Sequence, residues 1–105
     1  MIYLIVKFKT KKLEKILSND RLLQKEFGKL SVNIKRRMSE FLAAPNLSYI
    51  THKPPPRRHK LSGYPNRFAV DISKNFRIEF ESTSEKLLDP IDIVEIIIVK
   101  IGDYH

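Results

Sequence analysis

The final residues of the chain, Asp103, Tyr104 and His105, have side chains that can move protons beside a phosphate. An imidazole titrates near neutral pH, so His105 is a candidate general acid or general base. Asp103 can orient that imidazole, and Tyr104 can stack on a nucleobase or donate its phenolic proton. His59 is a second candidate base. The alternative is an ordinary chain end and a loop histidine.

A cation is also needed, because negative charge grows on the phosphate oxygens when a ribose 2′-hydroxyl attacks phosphorus. Arg77 alternates with the apolar Phe76 and Ile78, which predicts that it projects from the opposite face of a strand. A guanidinium there can hold a phosphate through two hydrogen bonds. The alternative is an ion pair with a carboxylate such as Glu79 or Glu95. The set contains the kinds of group that metal-independent RNA cleavage requires.

Further residues are candidates for contact with RNA because they are basic or carry an amide. They are Lys35, Arg36, Arg37, Arg57, Arg58, Lys60, Arg67 and Asn75. Asn75 has an alternative role as a turn residue. The run 35–37 is predicted to lie off the apolar face of its helix, where it can contact ribosomal RNA or an acidic segment of a protein partner.

Charge and composition favour a nucleic-acid partner within one domain, residues 1–105. The net charge is +8, and residues 1–60 hold 15 Lys and Arg against 4 Asp and Glu. The chain has no cysteine, and its three histidines are far apart, so we expect neither a metal site nor another cofactor. The first apolar run is too short for a signal peptide or membrane span, which predicts a cytoplasmic protein without membrane contact.

Apolar residues at helical spacing predict helices in the first half of the chain. Thr10 is a candidate cap for the first helix, and Asn19 and Asp20 are expected to break it. A second helix is expected to end at Gly28 in a left-handed conformation. The clearest helix runs from Ser31 to about Ala44, before Pro45. Its predicted core-facing residues are Ile34, Met38, Phe41 and Leu42.

Alternating residues predict strands at 2–8, 68–72 and 76–81, and a β-branched run predicts a central strand at 91–101 that is covered on both faces. The proline triplet 54–56 is expected to be extended, within an irregular segment at 46–66. This order of elements predicts an α+β domain, in which helices pack on one face of a mainly antiparallel sheet.

Three stretches of the chain carry a family resemblance: residues 27–47, residues 59–63, and residues 75–80 together with 103–105. The second reads His-Lys-Leu-Ser-Gly, and the third begins Asn-Phe-Arg-Ile-Glu-Phe. In order and spacing they resemble the RelE/ParE toxin superfamily, and most closely its HigB branch. The corresponding family segments read His-Pro-Leu-Lys-Gly and Asn-Trp-Arg-Ile-x-Phe. The resemblance extends over nearly the whole chain.

The resemblance implies a small curved sheet with N-terminal helices and a toxin of a type II toxin–antitoxin system. The implied activity is an mRNA interferase that cuts mRNA in the ribosomal A site, with contacts to ribosomal RNA. The implied partner is an antitoxin, a helix-turn-helix protein in the HigA branch. Ser62 departs from the family, which has lysine there. Two alternatives remain: a ParE-like toxin that inhibits gyrase, and a non-catalytic basic module that binds RNA or protein.

Overall fold

The helices of the protein lie in the first half of the chain, in a computed structural model that describes residues 3–86 and 88–103. They are α1 (Lys11–Ser18), α2 (Asp20–Phe27) and α3 (Ser31–Ala43). The strands are β1 (Ile5–Phe8), β2 (His59–Lys60), β3 (Arg67–Asp71), β4 (Phe76–Ser82) and β5 (Glu95–Asp103).

The five strands form one open sheet in the order β1-β5-β4-β3-β2. Strand β1 runs parallel to β5, and the other three pairings are antiparallel. Buried side chains of the helices and of the sheet join in one apolar core. The predicted α+β class, with a mainly antiparallel sheet and helices on one face, is therefore confirmed.

Polar caps set the boundaries of the first two helices. The side-chain oxygen of Thr10 accepts a hydrogen bond from the backbone N–H of Leu13 at 3.1 Å, as predicted. Asn19 does the same for Leu22 at 3.1 Å, so it begins α2 as well as ending α1. Asp20 is the first residue of α2 rather than part of a break. Its carboxylate lies where the helix dipole favours negative charge.

The core between α3 and the sheet is centred on Phe80, which is fully buried. Its ring lies 5.1 Å from that of Phe41, edge to face, and 5.8 Å from that of Phe68, stacked. The buried stripe of α3 differs from the prediction at its edges. Leu42 is 60% exposed, while Arg37 is only 3% exposed, so the prediction that Leu42 faces the core is wrong.

Strand β5 begins later and is less enclosed than its sequence predicts. Ile91 lies in a short 3₁₀ turn before the strand and is 61% exposed. Within the strand, Ile96 and Ile98 are fully buried, whereas Ile97 is only half-buried. The prediction of a strand covered on both faces is therefore wrong, because the helices pack against one face. Strand β1 also begins at Ile5, and residues 1–2 lie outside the described residues.

The proline triplet forms a turn instead of an extended segment. The peptide bond between Pro55 and Pro56 is cis, and Arg57 follows with a φ of 54°. The segment predicted to be irregular also contains a 3₁₀ turn at Leu47–Tyr49 and the short strand β2. Gly28 has the expected positive φ, 55°, although its ψ of −124° lies outside the left-handed helical region.

We expect Phe80→Ala to lower the free energy of unfolding by about 3–5 kcal/mol, because it removes the ring that packs against both Phe41 and Phe68. Leu42→Ala is the matched control, and its effect should stay within about 0.5 kcal/mol because the side chain is exposed. Urea unfolding of both variants measures the difference. Equal losses would contradict this assignment of the core.

Candidate functional site

The face of the sheet opposite the helices carries three of the predicted site residues: His59, Arg67 and Arg77. Residues that pair across strands project to the same face. In one row, Glu79 pairs with Ala69 on one side and with Lys100 on the other, and Ala69 pairs with His59. In the next row, Arg77 pairs with Asp71 and with Gly102. We call this surface, comprising Arg67, Arg77, Glu79, Glu81 and Lys100, the polar face.

A buried carboxylate lies at the centre of the polar face. The side chain of Glu79 is 3% exposed. Its Oε1 accepts a hydrogen bond from Arg67 Nη1 at 3.2 Å, and its Oε2 accepts one from Arg77 Nε at 3.0 Å. Lys100 Nζ lies 4.0 Å from the same Oε2. Burial of a carboxylate is costly, and these cations compensate the cost.

Arg67 is held by both of its acidic neighbours. Its Nε and Nη2 donate to Glu81 Oε2 at 3.1 and 3.0 Å, in addition to the bond to Glu79. Its guanidinium carbon lies 4.0 Å above the centre of the Tyr64 ring. Burial lowers the pKa of Arg67, but its hydrogen bonds to Glu81 and Glu79 and the charge of Glu81 outweigh it and raise that pKa. Arg67 is thus fixed in its charged form.

Arg77 forms an ion pair with Glu79, which is the alternative role that its sequence predicted. Its predicted contact with a phosphate stays a prediction, since a guanidinium carries five N–H donors and can serve two anions. Lys100 is the more accessible of the two cations, with 57% of its side chain exposed against 20% for Arg77. Sequence reasoning did not single out Lys100.

An irregularity in the pairing of β4 and β5 explains why Lys100 faces this way. Phe80 pairs with Ile98, while the preceding Glu79 pairs with Lys100, so Val99 is an additional residue in β5. If the strand paired regularly through Val99, Lys100 would project on the same side as Ile98, towards the helices. The signal in the sequence was a lysine within the otherwise apolar run 96–101, because a buried face would exclude its charge.

The predicted terminal site is only partly described. Tyr104 and His105 lie outside the described residues. Asp103 pairs with Phe76, whose side chain packs against the core, so the register directs Asp103 to the helix side of the sheet. The preceding Gly102 pairs with Arg77 on the polar face. The structure therefore brings the end of β5 next to Arg77 but places Asp103 on the other face.

His59 lies on the strand farthest from the chain end. Its Nδ1 is 2.8 Å from the carbonyl oxygen of Arg57, and its side chain is half-buried. Strands β3 and β4 separate it from β5, which corresponds to about 14 Å at three strand spacings. A substrate that touches both His59 and the end of β5 must therefore extend across the sheet.

The two arginines before His59 support the loop that leads into β2. Arg57 Nε and Nη2 donate to the two carboxylate oxygens of Asp71 at 2.6 and 3.1 Å. Arg58 Nε donates to the carbonyl oxygen of Ile50 at 2.7 Å, and burial lowers the pKa of Arg58. Both side chains position the loop, and their contacts with RNA stay predictions.

Two further candidates for RNA contact lie in turns or beside them. Asn75 is exposed in the turn between β3 and β4, as its alternative role predicted. Lys60 Nζ donates to the carbonyl oxygen of Tyr64 at 3.0 Å, and the residue is exposed. Both remain accessible to a ligand.

The basic run of α3 divides into two exposed cations and a buried one. Lys35 Nζ forms an exposed ion pair with Asp20 at 2.9 Å, and Arg36 is exposed beside Asn33. Arg37, by contrast, is buried, with Nη1 at 3.2 Å from Glu40 Oε1. The prediction that Arg37 lies off the core-facing stripe is wrong, because it occupies the edge of the stripe opposite Leu42.

Comparison with known proteins gives no match: no protein-family model, no curated protein and no solved structure resembles the chain. Among residues 3–86 and 88–103, no helix has the length and apolar character to cross a membrane. The same residues contain no group of three or more histidines and carboxylates placed to hold a metal ion.

We expect Glu79→Gln to destabilise the protein by about 3–5 kcal/mol, because the change removes the charge that compensates the half-buried Arg67 and Arg77. The control is Glu85→Gln, an identical change at an exposed position. Chemical denaturation monitored by circular dichroism measures both. A loss no larger than that of the control would show that Glu79 does not hold the polar face together.

Proposed function

We propose that the protein is the toxin of a type II toxin–antitoxin system, a ribosome-dependent endoribonuclease that cuts mRNA without a metal ion. The observation that carries the proposal is the polar face, where Arg77 and the exposed Lys100 lie beside the end of β5. The family resemblance and the net charge of +8 support the same conclusion.

The chemistry needs three kinds of group. A base removes the proton of the ribose 2′-hydroxyl, whose oxygen attacks the adjacent phosphorus. The bond from phosphorus to the 5′-oxygen then breaks, and an acid protonates the leaving oxygen. His105 and His59 are the proposed proton carriers, with Tyr104 and Asp103 as the further candidates. Arg77 and Lys100 would stabilise the charge on the phosphate oxygens.

Dependence on the ribosome is part of the proposal. Strands β2 and β5 are about 14 Å apart across the sheet, so a flexible RNA would rarely meet both His59 and the end of β5 at once. A ribosome that fixes the mRNA in the A site would provide the missing positioning. The exposed Lys35, Arg36 and Lys60 are proposed contacts to ribosomal RNA. A HigA-like helix-turn-helix antitoxin is the proposed inhibitor.

We expect His105→Ala, and separately Arg77→Ala, to abolish growth inhibition on expression in bacteria, because each removes a group needed at the phosphate. His52→Ala is the control, since His52 is an exposed loop residue outside the proposed site. Circular dichroism verifies folding, and mapping of mRNA 5′ ends identifies the cuts. In-frame cuts confined to translated regions are expected. Full toxicity of both variants, or efficient cleavage of naked RNA, would overturn the proposal.

We expect Lys100→Gln to slow mRNA cleavage roughly 10- to 100-fold, less than the loss of a fully buried donor, because Lys100 is partly solvated. Folding should be unaffected, since 57% of the side chain is exposed. Lys86→Gln is the matched control at another exposed lysine. Cleavage rates on translating ribosomes decide the result. Equal rates for the two variants would remove Lys100 from the site.

A further inference from the structure

Arg37 is buried with much of its hydrogen-bonding capacity unused. Its Nε and Nη1 are inaccessible to solvent and have no hydrogen-bond partner among the described residues. Nη1 lies 3.2 Å from Glu40 Oε1, but that oxygen is also without a hydrogen bond, so the contact is an ion pair of poor geometry. Buried donors in this state cost free energy, which an acceptor in an adjoining cavity would recover by drawing the guanidinium towards it.

A cavity of about 280 Å³ lies against Arg37, where α3 meets the proline turn and the turn between β3 and β4. Its polar lining includes Arg36, Arg37, Lys74, Asn33 and Ser73. Asp71 also lines it, but both of its carboxylate oxygens accept hydrogen bonds from Arg57. The cavity therefore has an excess of positive charge. We call it the Arg37 cavity.

We propose that the Arg37 cavity is an anion site that binds the phosphate group of a phosphate ester. A guanidinium fork matches phosphate oxygens, and Arg36 and Lys74 add charge at the rim. Pro54, Pro55 and Ile72 form an apolar wall. The volume exceeds that of one phosphate, which leaves room for an attached sugar. The source is either a phosphodiester of RNA or a phosphomonoester of a free nucleotide.

Occupancy of this site can be measured without any cleavage, so its test is independent of the proposed nuclease activity. The rim residues are exposed, so they can be changed without disturbing the core. Arg37 itself is unsuitable as the sole test, because replacing a buried residue can unfold the protein.

The experiment is titration of the full chain with inorganic phosphate, at constant ionic strength, followed by backbone amide chemical shifts. The pocket variant is the double change Arg36→Gln with Lys74→Gln. The control, Lys35→Gln with Lys86→Gln, removes the same charge from exposed positions outside the cavity. We expect saturable shifts around residues 36–37 and 71–74 in the wild type and the control, and at least tenfold weaker binding in the pocket variant.

Competition then distinguishes the two sources. Displacement of phosphate by a single-stranded RNA with a 5′-hydroxyl would identify a phosphodiester, whereas displacement by a nucleoside 5′-monophosphate alone would identify a phosphomonoester. No saturable shift at millimolar phosphate in the wild type would overturn the proposal. Equal affinity in the pocket and control variants would also overturn it, since binding would then follow net charge alone. Displacement by an acidic peptide but not by either phosphate ester would assign the cavity to a protein partner instead.

Discussion

The buried carboxylate of Glu79 is the interaction on which the polar face depends. It lies on β4 and is hydrogen-bonded to Arg67 of β3 and, along its own strand, to Arg77, with Lys100 of β5 beyond. The helices give the other face an apolar core, while this face is held by charge. Such a network is rigid because each ion would be costly to leave alone in a partly dry environment. The cations that a phosphate would meet are therefore oriented before any ligand arrives.

Many of the basic residues that the sequence marks as RNA contacts also hold the fold together. Hydrogen bonds join Arg57, Arg58 and Arg67 to acceptors within the chain. These bonds mainly stabilise the folded protein. The exposed lysines differ, because a ligand that binds them would mainly replace water. Long-range attraction of a polyanion depends on net charge and not on which residues are paired. All the basic residues thus contribute to attraction, whereas local contact is left mainly to the exposed ones.

The sequence predicted the elements whose signals are local. The N-cap of α1, the ends of α2 and α3 and the β3–β4 hairpin follow from side chains within a few residues. It failed where tertiary packing chooses between equivalent options. On α3, Leu42 and Arg37 flank the stripe at about 80° and 60° from Ile34, so the helical period favours neither edge. The polar face was predicted at Arg77, but Lys100 required the register of β5, which depends on pairing between distant segments.

The additional residue Val99 determines the face of the sheet on which each later side chain of β5 projects. Beyond this irregularity the side chains alternate between the two faces. Its position therefore determines the faces of Lys100, Gly102 and Asp103. Regular pairing through Val99 would exchange the two faces for the rest of the strand and would direct the ammonium group of Lys100 towards the apolar core. Val99 is consequently the position at which loss of a single residue would restore regular alternation and leave Lys100 beside Glu79.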